Sequence, residues 1–179
     1  MQQLLAFAHV LDWINDRFGS IAKWAVTLAC AISAGNAFIR YGLDISSNAW
    51  LEIQWYLFAV CVMFGAPEVL RLNEHVRVDI FYGKLSSKGR VWVDLLGILL
   101  FLLPAMGVLL YYSWPLFLNM YRTGEMSSNA GGLIRWPAVL TLPLGFALVG
   151  LQGISEAIKR VGWLTHTYDM DIHYERPLQ

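Results

Sequence analysis

Side chains that could do chemistry are sparse in this chain, and the strongest candidates lie at the ends of apolar segments. Asn36 and Arg40 are four residues apart and so share one face of a predicted helix. Glu52 follows after a short connection, at a similar predicted depth. One interpretation is an Arg40–Glu52 ion pair that joins two helices. The other is that each side chain extends separately to water. The spacing leaves both open.

The histidines do not form a pattern typical of a membrane haem site. His9, His75, His166 and His173 all lie outside the apolar segments, which excludes a haem held by paired intramembrane histidines. The stretch from His166 to His173 also contains two aspartates and could hold a metal ion. Such mixtures are common in solvated tails, so we expect no metal and no cofactor on this chain.

Motifs of catalysis are also missing from the sequence. There is no GxxxxGK[ST] phosphate loop, no GxSxG nucleophile turn and no HExxH zinc motif. The centres of the apolar segments carry no ionisable residue of the kind that a membrane enzyme or pump keeps there. We therefore expect that the protein is not an enzyme.

The elements that position the candidate residues follow from where the charges lie. Of 179 residues 57% are hydrophobic, and the 13 basic and 13 acidic side chains avoid four windows, 24–39, 53–67, 95–121 and 136–155. A membrane-spanning helix needs about 20 mainly apolar residues. The sequence predicts an all-α integral membrane protein with spans at about 21–42, 49–70, 92–114 and 136–157. These form one domain, residues 1–160, with a cytoplasmic tail at 161–179.

Basic residues predict the orientation of these spans. Ten fall on the side of the two termini and the 71–91 loop, and three on the side of the 43–48 and 115–135 connections. The positive-inside rule then puts both termini in the cytoplasm. The zero net charge gives no basic face for phosphates, so a nucleic-acid partner is excluded.

The first 20 residues carry an amphipathic pattern. Leu4, Phe7, Leu11, Ile14 and Phe18 recur at helical spacing, which predicts an interfacial helix on the membrane surface before the first span. A helix packed on the bundle fits the pattern equally well. The segment has no basic residue before its apolar run and no small-residue cleavage site, so we expect it to be retained.

Two further patterns concern helix packing. Ala29, Ser33 and Ala37 repeat every fourth residue and predict a close helix contact, within the chain or with another subunit. The third span is interrupted by Gly97, Pro104 and Gly107. This interruption predicts a bend rather than a binding site.

Several short motifs follow one another in a distinctive order. They are Asn36-x3-Arg40, Trp50-x-Glu52-x3-Tyr56, Phe64-Gly65-Ala66, Glu74-His75-Val76-x-Val78-Asp79, Trp136-Pro137 and Pro143-x-Gly145-Phe146. Over residues 15–160 this series resembles the small, DctQ-type membrane subunit of the tripartite ATP-independent periplasmic (TRAP) transporters. The chain departs from many members at Ile53, where they have a second acidic residue, and in its long loop before Trp136.

The resemblance implies a three-part secondary transporter in the bacterial inner membrane. A periplasmic binding protein captures an organic acid, a large permease subunit carries it with Na⁺ bound on that subunit, and the small subunit braces the permease, with phospholipid in the seam. Contacts between helices or subunits are expected at Asn36, Arg40, Trp50, Glu52 and Tyr56. The binding protein is expected to meet Ser127, Ser128, Asn129 and Arg135. His75, Arg77 and Asp79 would shape the cytoplasmic surface segment.

Two other functions fit the same residues. The chain could be an autonomous, dimeric four-helix transporter of small solutes, with Glu52 as its coupling carboxylate. It could also be a structural membrane protein that assembles partners without changing solute flux.

Overall fold

The structure, a computed structural model, describes residues 1–45, 47–73 and 82–170. These residues contain four long helices: α1 (Gln2–Leu43), α2 (Asn48–Leu72), α3 (Ser87–Thr123) and α4 (Trp136–Leu164). The only β pairing among them is an isolated bridge between Met126 and Ile134. All four helices are long and apolar enough to cross a membrane. The prediction of an all-α membrane protein with four spans is confirmed.

Each predicted span lies within one of these helices, and every helix continues beyond it. Apolar segments in lipid must satisfy their backbone hydrogen bonds internally, which favours helix through the whole hydrocarbon layer. The polar turns at the ends then extend the same helices. With 42 residues α1 is about 63 Å long, roughly twice the thickness of a hydrocarbon core.

The helices end at residues that tolerate the left-handed conformation. Asp44 after α1 has φ 56°, Asn73 after α2 has φ 60°, and Gly124 after α3 has φ 61°. Aspartate, asparagine and glycine adopt this conformation at lower cost than other residues. At the start of α4, Pro137 occupies the first turn, as the sequence predicts.

Helix α4 is the centre of the arrangement. It packs along α1, α2 and α3, whereas the described part of α3 packs extensively only on α4. Two glycines allow the closest approaches. A Cβ atom on Gly145 would lie 2.6 Å from the Met63 Cβ on α2, and one on Gly153 would lie 2.6 Å from the Leu102 Cδ2 on α3. In lipid such contacts replace the hydrophobic effect as the reason for helix association.

Helix α3 contains a π-helical segment, Ile98–Leu102, between Gly97 and Pro104. Proline has no backbone N–H and its ring clashes with the carbonyl four residues earlier, so a wider turn before Pro104 relieves that clash. The irregularity falls where the sequence predicts a bend in the third span, and Gly153 of α4 packs against it.

The N-terminal amphipathic helix is present, but it is not a separate element. Residues 2–20 run without interruption into the first span as one helix. The backbone of Ala8 and the side chain of Asn15 are buried and bond to Ser155 and Gln152 of α4. These contacts correspond to the second alternative, a helix packed on the bundle.

The predicted small-residue contact on α1 is only partly used within the chain. Ala29 is buried, while Ser33 and Ala37 are exposed. Helix α1 therefore extends past its intramolecular neighbours towards the end of the bundle that carries the 124–135 loop. We call this end the loop end, and the opposite end, where α1 begins and α4 finishes, the terminal end.

The charge pattern of α4 relates the two ends to membrane thickness. From Trp136 to Ser155 the helix has 20 residues without a charge, about 30 Å at 1.5 Å per residue. That length matches a hydrocarbon core of about 30 Å. The 124–135 loop then lies at one boundary, and Glu156 lies at the other.

The close contact at Gly145 gives a test of the helix packing. The substitution Gly145→Ala should lower the free energy of unfolding by about 1–3 kcal/mol, because the new methyl group meets the side chain and backbone of Met63. Unfolding in mixed detergent micelles, followed by circular dichroism, measures this loss.

The matched control is Gly107→Ala on α3, where a Cβ atom would meet nothing within 4 Å. It should be neutral or slightly stabilising, since alanine favours helix. Equal losses for the two variants would contradict the packing of α4 against α2.

Candidate functional site

The 124–135 loop folds back on itself at the loop end. Ser127 N–H donates to Leu133 O and Arg135 N–H donates to Glu125 O, each at 2.9 Å, on either side of the bridge between Met126 and Ile134. Gly131 has φ 69° and turns the chain between the two arms. The loop is therefore an ordered hairpin rather than an extended connection.

Glu52 on α2 holds this hairpin. Its carboxylate accepts a hydrogen bond from the Ser127 hydroxyl, one of 2.7 Å from Asn129 Nδ2 and one of 2.6 Å from the Leu133 N–H. The residue is only 3% exposed. A buried carboxylate needs such donors, and charge-assisted bonds to it are stronger than neutral ones. A Cβ atom on Gly132 would lie 2.6 Å from the Ser127 Cβ and 2.9 Å from Glu52 Oε1, so a larger residue there would displace Ser127.

Two further bonds tie α2 to the hairpin. Tyr56 lies one turn after Glu52, and its hydroxyl donates to Ile134 O at 2.9 Å. Asn48 at the start of α2 donates through Nδ2 to Ala130 O at 2.9 Å. Asn48, Glu52 and Tyr56 thus lie on one face at the start of α2, and all three hydrogen-bond to the hairpin.

The residues predicted to make contacts near Glu52 divide into two groups. Glu52 and Tyr56 meet at the hairpin, whereas Arg40 and Trp50 are exposed and Asn36 is half-buried without a side-chain hydrogen bond to another described residue. No ion pair between Arg40 and Glu52 occurs among the described residues. The carboxylate is neither paired with Arg40 nor extended to water, because the hairpin takes its hydrogen bonds.

The residues predicted to meet an external partner also divide. Ser127 and Asn129 point inward to Glu52. Ser128 is exposed, and Arg135 pairs with Glu125 at 2.6 Å, with both side chains substantially exposed. His75, Arg77 and Asp79 lie outside the described residues.

A cleft of about 340 Å³ opens between the hairpin and the first turns of α2 and α4. Polar side chains of the hairpin form one wall. Trp55, Ala138 and Val139 supply apolar surface on the others. This is the cavity closest to the predicted contact residues.

A second cluster lies at the terminal end and joins three helices. This terminal network consists of Asp12 on α1, Asp94 on α3, and Gln152, Ser155, Glu156, Lys159 and Arg160 on α4. Lys159 Nζ lies 2.7 Å from Asp12 Oδ2 and 2.9 Å from Glu156 Oε1. Arg160 pairs with Glu156 at 2.6 Å and reaches Asp94 at 3.4 Å.

Hydrogen bonds of neutral side chains complete the terminal network. Gln152 Nε2 donates to Asp12 Oδ1 at 2.9 Å, and the Ser155 hydroxyl donates to the same oxygen at 2.7 Å. Asn15 Nδ2 donates to Gln152 Oε1 at 2.7 Å. Lys159 and Arg160 are 6% and 5% exposed, so their charges are compensated by these partners rather than by water.

The sequence analysis did not identify the terminal network. It used Lys159 and Arg160 only as markers of orientation. A signal was available, because the five polar residues of α4 between 152 and 160 follow one another at intervals of three and one, the pattern of a single helical face. A polar stripe at the end of a span predicts a buried polar contact, but not its partner on α1.

More exposed ion pairs join α1 to α2. Lys23 Nζ lies 2.7 Å from Glu68 Oε1, and Arg71 pairs with Asp16 at 2.5 Å. The Lys23 side chain is 69% exposed. These pairs lie along the seam of the two helices.

The role of Glu52 can be tested by limited trypsin digestion of the purified protein, with cleavage measured after Arg122 and Arg135. Glu52→Gln replaces one acceptor oxygen by an NH₂ group facing donors. We therefore expect cleavage to become several-fold faster, as opening of the hairpin governs access.

Glu125→Gln is the control for cleavage after Arg122, since it removes a carboxylate from the same hairpin but only from an exposed ion pair with Arg135. Its cleavage should change little. Protection that is unchanged in Glu52→Gln would show that the hairpin does not depend on this carboxylate.

The terminal network predicts a large effect of Lys159→Met. Removing the ammonium leaves the Asp12 carboxylate without its cation, while Glu156 keeps only Arg160, so stability should fall by about 3–5 kcal/mol. Lys23→Met breaks an exposed pair and should cost less than about 1 kcal/mol. Thermal unfolding in detergent compares the two, and similar losses would contradict the burial of the terminal network.

Comparison with known proteins identifies the family. Residues 20–162 match the family model described as "Tripartite ATP-independent periplasmic transporters, DctQ component". The chain is also similar to the ectoine TRAP transporter small permease protein TeaB of Halomonas elongata, with 28% identity over 141 residues, which cover 79% of this chain and 72% of the relative. No solved structure matches it. The chain is a multi-pass membrane protein and belongs to the DctQ family of TRAP transporter components.

Proposed function

We propose that this protein is the small permease subunit of a Na⁺-coupled, binding-protein-dependent TRAP transporter for organic acids in the bacterial inner membrane. Its role is to brace the large permease subunit and to help dock the periplasmic binding protein. The observation that carries the proposal is the family match over residues 20–162, which fits a chain built as a scaffold.

The polar chemistry of the chain supports bracing rather than transport. Transport sites combine broken helices with polar groups near the membrane midplane. Here the buried charged side chains of the described residues lie near the two ends of the bundle, where Glu52 organises the hairpin and the terminal network joins α1, α3 and α4. Glu52 is held by three donors, an arrangement suited to a structural carboxylate rather than to one that cycles with a substrate. Coupling ions and substrate are then assigned to the large subunit.

The seam of α1 and α2 is the face best suited to the large subunit. The charge-free windows of these helices, 16 and 15 residues, are about 24 Å and 22 Å long, whereas that of α3, with 27 residues, is about 40 Å. Because these two windows are short, the exposed Lys23–Glu68 pair lies at a membrane depth where α4 still has no charged residue. A charge pair at that depth is costly against lipid and is better covered by protein.

Helix α3 has no charged residue between Leu95 and Tyr121, so no such pair lies on its surface at that depth. Its exposed side chains around the π-helical segment are large and apolar, among them Leu99, Leu100 and Phe101. Such a surface is compatible with acyl chains. We therefore assign α3 to the lipid side of the complex and the α1–α2 seam to the partner side.

Docking of the binding protein is assigned to the loop end, which the basic-residue bias puts in the periplasm. The hairpin is a pre-formed platform, because Ser127 and Asn129 are engaged with Glu52. Ser128, Arg135 and Glu125 remain at its surface. Pre-organised surfaces bind with a smaller loss of conformational entropy.

The proposal is tested by tagging the chain, expressing it from its own operon, and extracting the complex in mild detergent. Mass spectrometry should find a large membrane subunit in a one-to-one ratio. Recovery of the chain only with itself, while a control membrane complex survives the same extraction, would favour the autonomous transporter. A stable complex whose solute uptake stops in Glu52→Gln would instead favour a coupling role for that carboxylate.

Cysteine cross-linking tests the face within that complex. Thr27→Cys lies one turn after Lys23 on α1, and Leu100→Cys lies on the exposed side of α3. With the native Cys30 and Cys61 replaced by alanine, a bifunctional thiol reagent should join the first variant to the large subunit and leave the second unlinked. The reverse pattern would overturn the assignment of faces but not the family role.

A further inference from the structure

The cleft beside Glu52 lies at the depth where lipid headgroups meet acyl chains. Arg135 directly precedes the 20-residue charge-free stretch of α4, and Ala138 and Val139 are in its first turn. Tyr121 and Trp136 stack edge to face at the same end, with ring centroids 5.4 Å apart. Aromatic side chains of this kind concentrate at membrane boundaries. The polar rim and the apolar floor of the cleft thus lie on opposite sides of that boundary.

Two donors at the rim are suited to a phosphate group. Arg135 uses NH1 for Glu125, and its side chain is 49% exposed, which leaves the rest of the guanidinium accessible. Trp55 is 64% exposed, and its indole N–H has no acceptor among the described residues. Guanidinium groups bind phosphate through charge-assisted hydrogen bonds, and indole N–H groups add a neutral donor.

The charges around the cleft discriminate between headgroups. Glu52 is the one acidic residue and Arg135 the one basic residue among those that line the cleft. Arg135 also pairs with Glu125, which does not line the cleft, so these three charges together leave an excess negative charge. An anionic headgroup would meet this excess unfavourably. A zwitterionic headgroup offers its phosphate to Arg135 and its cation to the acidic side. The Glu52 carboxylate has about four acceptor positions, of which three are occupied.

We propose that this cleft binds the headgroup of a zwitterionic phospholipid from the leaflet at the loop end. The phosphate contacts Arg135 and Trp55, the ammonium group faces Glu52, and the first part of an acyl chain follows Ala138 and Val139. A primary ammonium group donates hydrogen bonds and a trimethylammonium group does not. The site therefore prefers phosphatidylethanolamine to phosphatidylcholine, and both to phosphatidylglycerol. The inference does not depend on the partner subunits.

The test is native mass spectrometry of the purified chain after delipidation and addition of the three phospholipids in equal amounts. One phosphatidylethanolamine should be retained in preference to the others. Retention should be about tenfold weaker in Arg135→Gln, as expected for loss of a charge-assisted hydrogen bond. Arg122→Gln is the matched control, because this exposed arginine of the last turn of α3 does not line the cleft.

A second variant, Trp55→Leu, guards against misfolding of the hairpin, since Trp55 is exposed on α2 and outside the hairpin. It should also weaken retention, with unchanged helix content by circular dichroism.

Equal retention by Arg135→Gln and Arg122→Gln, or a preference for phosphatidylglycerol, would overturn the proposal. Displacement of the lipid by water-soluble glycerophosphoethanolamine at equal concentration would reassign the site to a free phosphate ester. Loss of the lipid when the large subunit co-purifies would reassign the cleft to a protein interface.

Discussion

Helices in a bilayer have no hydrophobic reason to associate, since lipid solvates their apolar faces as well as a neighbouring helix does. The architecture of this chain depends on how α4 meets that constraint. Gly145 allows close approach to α2 near the middle of the charge-free stretch, and Gly153 allows close approach to α3 nearer the terminal end. At the terminal end, ion pairs of Lys159 and Arg160 reach α1 and α3. Packing in the apolar zone and polar bonds at its edge together fix the relative positions of the four helices.

The two ends of the bundle use buried carboxylates differently. At the terminal end Asp12 and Glu156 lie beside Lys159, so opposite charges compensate one another across helices. At the loop end no salt bridge joins Glu52 to another described residue, and its carboxylate accepts from neutral donors of the hairpin. The first arrangement joins elements far apart in sequence, while the second shapes one loop. Both satisfy buried carboxylates with donors from the same chain.

Much of the fold could be predicted from the sequence, because each span is determined by the length of a charge-free stretch along the chain. Charge-free length locates each helix in lipid, and Pro137 indicates where α4 begins. The partners of Glu52 could not be predicted in this way. Arg40 is closer to it in sequence, but the carboxylate is satisfied by Leu133 and its neighbours, about 80 positions later. Such pairing depends on the three-dimensional path of the loop.

The partners of the terminal network could not be predicted from the sequence either. The polar stripe on α4 is visible in the sequence, yet its contact with Asp12 requires that residues 2–20 continue straight into the first span. Amphipathic spacing alone fits a helix on the membrane surface and a helix on the bundle. The buried acceptors on α4 distinguish the two, and they become apparent only when both helices are seen together.

The separation of these partners along the chain also has a consequence for biogenesis. Asn15 and Asp12 bond to residues that follow them by 137 to 143 positions, near the end of the described chain. A ribosome releases the N-terminal turns of α1 long before α4 exists, so their polar face stays uncompensated until the last span enters the bilayer. Completion of the bundle therefore waits for α4, and a nascent chain that stops before α4 lacks the partners of Asn15 and Asp12.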